Sequence, residues 1–125
     1  MKKNIIASGK FPVAGPYSTA VEAGGMIFIS GQLPIDPATG EIINDIKTAT
    51  RQVLTNIQII LKEAGMDMSN VVKTTIFLKN IADFSVVNEI YASFFPKEPP
   101  ARSTIEASAL PKGVLLEIEA VAIRK

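Results

Sequence analysis

The sequence predicts one α+β domain in which two helices pack on a single face of a mixed sheet. Two long segments carry apolar residues at helical spacing, and five short β-branched or alternating runs surround them. In chain order these read strand, strand, helix, strand, helix, strand, strand, with no internal repeat or linker. At 125 residues the chain fits one domain, residues 1–125, which buries roughly two-thirds of its unfolded surface.

After a Gly- and Pro-punctuated start, Thr19 to Ala23 and Met26 to Ser30 read as strands. Gly24-Gly25 joins them, a dipeptide suited to a tight hairpin because both residues tolerate positive φ. Turn chemistry makes Asp36-Pro-Ala-Thr-Gly-Glu41 a loop. From Asp45 the period changes: Ile46, Ala49, Val53, Ile57, Ile60, Leu61 and Ala64 mark a helix of about five turns, capped by Asp45 and ended by Gly65. Val71 to Leu78 is β-branched and short, as a buried strand is. A second helix begins near Asp83, carries Phe84, Val87, Tyr91, Phe94 and Phe95 on one side, and stops at Pro96. Strands around Arg102 and Glu117 follow, joined by a loop at Pro111-Lys-Gly113.

Composition removes several kinds of chemistry. The chain has neither Cys nor His, which excludes thiol catalysis, disulfides, Cys-based zinc sites and imidazole proton transfer. Proton transfer near neutral pH then falls to a carboxyl group, Lys, Tyr, the substrate or water. Thirteen Lys and Arg against twelve Asp and Glu give no field that favours nucleic acid or an anionic membrane. The two N-terminal lysines precede only three apolar residues, too few for a secretory core, and no run approaches the roughly 18 apolar residues of a membrane span. A cytoplasmic protein without a membrane partner is expected.

The two C-terminal strands hold charge inside apolar runs. Alternation places Arg102, Thr104 and Glu106 on one face of the first, with Ile105 and Ala107 on its core face. In the second, Glu117, Glu119, Val121 and Ile123 share a face opposite a core row of Leu116, Ile118, Ala120 and Ala122. If the strands are neighbours, the guanidinium and a carboxylate meet in a partly buried cleft able to grip a small carboxylate. The planar fork of Arg102 matches a carboxylate bidentately, and its approach through Pro99-Pro100 is stiff. A structural salt bridge explains the same pattern equally well. Desolvation between Leu116 and Ile118 would raise the Glu117 pKa toward acid/base use, whereas a nearby Arg would lower it.

Gly15-Pro16-Tyr17-Ser18 and Ser30-Gly31-Gln32 read as loop-forming segments that either present a phenol and backbone groups to a ligand or simply turn the chain. Asn88 lies one step from the apolar face of the second helix. The two helices cover one sheet face only, yet Val121 and Ile123 are apolar on the other. That second face is expected to meet another copy of the chain.

Together these segments resemble the reactive-intermediate deaminase family, RidA or YjgF. The likeness rests on Gly15-Pro-Tyr-Ser18, Phe28-Ile-Ser-Gly-Gln32, Asp36-Pro-Ala-Thr-Gly40, Asn56-Ile57 with Leu61 and Ala64-Gly65, Val72 to Leu78, Asp83-Phe84 with Val87-Asn88 and Tyr91, Pro100-Ala-Arg-Ser103, and Glu117 to Ala122. The resemblance implies a chorismate-mutase-like fold assembled as a homotrimer with clefts between subunits and no metal or organic cofactor. It implies hydrolysis of 2-imino acids such as 2-iminobutanoate and 2-iminopropanoate, released by pyridoxal-phosphate enzymes of the threonine dehydratase type, to 2-keto acids and ammonia. By position, Arg102 would bind the substrate carboxylate and Glu117 would position or activate water. Tyr17, Ser30, Gly31, Asn88 and Thr104 would line the pocket. Many members have Cys where this chain has Thr104, so thiol-based sensing is ruled out here. Two other functions compete: an RNA-cleaving or translation-inhibiting protein, which the near-neutral charge disfavours, and a regulatory module that binds ligands without turnover.

Overall fold

A computed structural model describes residues 2–6 and 9–125. Its strands are β1 (Lys3–Ile6), β2 (Ala20–Ala23), β3 (Met26–Gln32), β4 (Val71–Leu78), β5 (Ala101–Glu106) and β6 (Leu116–Ile123). Its helices are α1 (Ile46–Glu63) and α2 (Phe84–Phe94). The six strands form one sheet in the order β1-β2-β3-β6-β4-β5, antiparallel except for the β4–β5 pair. The predicted mixed sheet with two helices is therefore present. Strand β1 is an addition to it, since the four residues Lys3-Asn-Ile-Ile6 give too little alternation to register as a strand.

The hairpin forms where the glycines predict it: Gly24 and Gly25 have φ of 59° and 79°, and Ala23 pairs with Met26 across them. The Asp36–Glu41 loop closes on itself through Asp36 N–H to Glu41 carbonyl and Gly40 N–H to Asp36 carbonyl bonds of 2.9 and 2.8 Å. In α1 the Asp45 carboxylate accepts from the Thr48 N–H at 3.0 Å, while Gly65 ends the helix at φ 75°. A single 3₁₀ turn, Ile81–Asp83, leads into α2, so Asp83 gives no side-chain cap there.

The core lies between the sheet and the helices. Val53, Leu54, Ile57, Ile60 and Leu61 of α1 and Val87 of α2 meet Ile27, Ile76, Leu78, Leu116, Ile118 and Ala122, all essentially without solvent contact. Two polar residues of α1 are buried: Thr50, whose hydroxyl donates to the Ile46 carbonyl at 2.7 Å, and Asn56. The Asn56 amide donates to the Leu33 and Ile35 carbonyls at 3.3 and 2.9 Å, and its own oxygen accepts from Gln52 at 2.8 Å. It thereby ties the chain leaving β3 to the helix layer. At the other end, Arg124 forks onto Glu22 at 2.9 and 3.0 Å and also donates to the Ala64 carbonyl, joining β2, the end of β6 and the end of α1.

Among the described residues, no helix covers the opposite sheet face. Ile5, Val21, Phe28 and Val121 form a row across four strands, and Met26 pairs with Ile123 beside it. Phe28 is 46% exposed and Ile123 44%, so the apolar character expected of this face is present and uncovered within the chain. The expectation for Ile105 is corrected: it is half exposed on the open face, and Arg102 and Thr104 face the helices instead. The reason is that β5 is an edge strand whose helix-side positions lie over α2 rather than over the middle of the core.

Asn56→Ala removes the buried amide that ties the Leu33 and Ile35 carbonyls to α1 and leaves a small void. A loss of about 2–4 kcal/mol of folding stability is expected, read as a lowered urea midpoint with an unchanged slope.

Candidate functional site

Strand β4 lies between β5 and β6, so the arginine and glutamate strands are not the neighbours that a shared cleft within one chain requires. Register decides where the charges go. Arg102 is aligned with Thr74, which is buried against α2, while Glu117 is aligned with Phe77, one step out of phase. The guanidinium therefore lies on the helix side of the sheet and the carboxylate on the open side. Pairing order and phase are not local properties of either run, which is why the alternation alone could not separate these cases.

The first half of the site is built on β5 and α2. The Arg102 Cζ atom lies 4.9 Å from the ring centre of Tyr91 and 5.4 Å from that of Phe84. No carboxylate pairs with it among the described residues. Asn88 sits four residues after Phe84 and three before Tyr91, so it shares their stripe of the helix and is half-buried there. Thr104, two residues along β5 from Arg102, has a buried hydroxyl without a hydrogen-bond partner among the described residues. In the sequence Phe84 and Tyr91 read as part of the apolar side of the second helix. Their seven-residue spacing is a helical stripe like any other, and nothing local says that an arginine will cover it.

The second half is built on β3 and β6. Between Ile29 and Gln32 the register against β6 shifts, leaving Ser30 and Gly31 in a bulge. Strand β3 continues past Ser30, where the sequence reading ends it, through the loop-like Gly31 and Gln32, because the pairs Ile29 with Ala120 and Gln32 with Ile118 hold the chain on both sides of the bulge. The Ser30 hydroxyl donates to the Ser18 carbonyl at 2.6 Å and its N–H to the Thr19 carbonyl at 3.0 Å, docking the Gly15–Ser18 segment against the bulge. Tyr17 is exposed there. Together with Lys10–Ala14, Pro37, Asn56 and Lys112, residues Tyr17, Ser30 and Gly31 line a cleft of about 380 Å³. A more open depression of about 430 Å³, bordered by Arg51, Asp67 and Phe94, includes none of the predicted site residues.

Glu117 closes the second half. A Cβ placed on Gly31 would stand 1.8 Å from Glu117 Oε2, so the carboxylate lies directly on the glycine backbone and only glycine leaves it room. Burial holds the Glu117 carboxyl above the usual carboxylate range, and the charge of Glu119 adds to the shift. No cation or hydrogen-bond donor offsets it among the described residues. The structure thus brings Tyr17, Ser30, Gly31 and Glu117 into one group and Arg102, Asn88 and Thr104 into another. It does not join the two within one chain.

Comparison with known proteins gives this arrangement its context. The model of the Endoribonuclease L-PSP family matches residues 8–124. The chain belongs to this family. It is 41% identical, over the full length of both chains, to the 2-iminobutanoate/2-iminopropanoate deaminase of Salmonella typhimurium. Among solved structures, the Rid family protein YyfA of Yersinia pestis superposes with a TM-score of 0.94 at 50% identity, covering 98% of this chain and 99% of that one. TdcF of Escherichia coli with bound serine superposes with a TM-score of 0.92 at 40% identity, covering 98% and 99%. The resemblance to the RidA group and the fold it implies are both borne out by these relatives.

Gly31→Ala tests the close approach. The clashing atom is the end of a flexible side chain, so stability should fall by only about 1 kcal/mol, while the carboxylate is pushed off the bulge. A melting temperature lowered by only a few degrees, together with loss of the imine hydrolysis proposed below, is the expected result.

Proposed function

We propose that this protein hydrolyses small 2-imino acids to 2-keto acids and ammonia in clefts completed by a second copy of the chain. The observation that carries the reading is the pair of charges unmatched among the described residues: a ring-supported guanidinium with no carboxylate and a desolvated carboxylate with no cation, held on opposite sides of one sheet. Each half needs what the other offers. A homotrimer in which the open sheet faces meet would bury the Phe28 row and bring the Arg102 half of one copy to the Glu117 half of the next.

In that cleft the guanidinium fork of Arg102 takes the substrate carboxylate, with the Asn88 amide and Thr104 beside it. Tyr17, Ser30 and the Gly31 backbone bound the other wall. The imine carbon is already electrophilic, so orientation and modest proton transfer are enough. On the protonated imine, Glu117 accepts a proton from water as the water oxygen bonds to the imine carbon and the C=N electron pair goes to nitrogen, giving a 2-amino-2-hydroxy acid. Glu117 then returns the proton to the amine, the C–N bond breaks with its electron pair on nitrogen, the hydroxyl proton passes to the departing ammonia, and the keto acid remains. A carboxyl held above its usual range suits both transfers. The deaminase name of the Salmonella relative supports the substrate class, and the serine bound to TdcF supports a site for small amino-acid-like carboxylates. Cytoplasmic work beside an imine-releasing dehydratase of the threonine dehydratase type fits the same reading. The family description also names a ribonuclease, but a net charge of +1 and the absence of His give a nucleic acid little to hold.

Light scattering at micromolar concentration should give about three times the chain mass. A monomer would leave the two half-sites apart and remove this reading.

An amino-acid oxidase or threonine dehydratase can generate the imine while semicarbazide competes for it. The protein should lower semicarbazone yield and speed keto-acid formation. Arg102→Ala should abolish this effect, Arg102→Lys should restore little, and Glu117→Gln should lower turnover by roughly 10²–10⁴ while still binding 2-oxobutanoate. Normal turnover by the Arg102 and Glu117 variants would overturn the assignment.

A further inference from the structure

The support beneath Arg102 is unusual for a half-buried arginine. Its contacts are with two aromatic faces from one helix, Phe84 and Tyr91, both within the roughly 6 Å at which a ring attracts a cation. Such contacts use the charge of the guanidinium without consuming its N–H donors. A structural carboxylate in the same place would occupy two of the five donors and would compete with any ligand carboxylate.

The Tyr91 ring is itself fixed. A 2.7 Å hydrogen bond joins its hydroxyl to that of Thr74, both residues being buried, and Thr74 is the β4 residue aligned with Arg102 across the β4–β5 pair. The ring also packs on Phe95, with centroids 4.7 Å apart. The strand that neighbours the arginine therefore also sets the orientation of the ring beneath it.

We propose that Phe84 and Tyr91, the latter oriented by Thr74, are positioning residues that hold the Arg102 guanidinium with its donors turned to the substrate carboxylate. This rests on the reading of Arg102 as the carboxylate anchor. The role is binding, expressed before chemistry begins, so it separates from packing in the kinetics.

The test measures 2-oxobutanoate affinity by titration calorimetry, together with imine-hydrolysis kinetics, for Arg102→Ala, Phe84→Leu, Tyr91→Leu and Tyr91→Phe. Arg102→Ala should abolish binding. Each Leu variant should weaken affinity about threefold to tenfold and raise KM by the same factor, with kcat within about twofold of the parent. Tyr91→Phe, which keeps a ring, should lose less than Tyr91→Leu. Phe84 is only half-buried, so Phe84→Leu carries the test even if Tyr91→Leu does not fold. Loss of binding in Arg102→Ala with parental affinity in Phe84→Leu and any folded Tyr91→Leu would overturn the positioning role and leave the anchor in place. Parental binding in Arg102→Ala would overturn the anchor and the positioning role with it. A fall in kcat and melting temperature at unchanged KM would make the rings packing groups and overturn the proposal.

Discussion

Strand β6 is the constraint on which the rest depends. It is the last strand in the chain yet lies in the middle of the sheet, paired with β3 on one side and β4 on the other. Its inner row, Leu116, Ile118, Ala120 and Ala122, is buried beneath the helix layer. The alanines matter as much as the larger residues, because α1 crosses β6 and β3 and small side chains keep the two layers close. With that row fixed, a slip of one residue would drive Glu117 and Glu119 into the core. Burial of four apolar residues thus decides where the carboxylates stand, and the β3 bulge opposite them leaves Gly31 as the surface on which Glu117 rests.

The open face follows from the same arithmetic. Antiparallel strands with one covered face ordinarily turn polar residues outward, yet the row from Ile5 through Val21 and Phe28 to Val121 turns apolar ones. At its end the same register places Lys73 beside Val121, with the ammonium group 3.3 Å from the Ser103 hydroxyl. An apolar centre with a polar rim is the composition of an association surface. Because Glu117 and the bulge lie on this face, assembly and site formation are one event in the proposed trimer.

Periodicity made α1, α2 and most strands legible, since each is written in a local pattern: the 3.6-residue spacing from Ile46, the Gly24-Gly25 turn, the inner row of β6. Pairing order is written nowhere locally. That a long connection through α2 sets β5 outside β4, and that the final strand enters between β3 and β4, depends on how whole surfaces fit. This is why Arg102 and Glu117 appeared to be candidates for one cleft in one chain, and why Ile105 appeared to be core. The bulge at Ser30-Gly31 was hidden for a related reason. Its composition is that of a loop, and only the pairs on both sides make it strand. Family likeness selected the same seven residues without saying how they would divide between two halves.

That division has an electrostatic consequence for the proposed chemistry. Alone, Glu117 is raised by burial and by Glu119, the direction that favours holding a proton near neutral pH. Bringing a guanidinium from a second copy close to it would oppose that shift and leave a weaker base. A substrate carboxylate bound in the fork neutralises the guanidinium and restores the environment in which burial dominates. The carboxyl group would then become the stronger base only when substrate is present. The aromatic support of Arg102 serves the same end, because a cation held by ring faces rather than by a fixed carboxylate keeps its charge available until the substrate arrives.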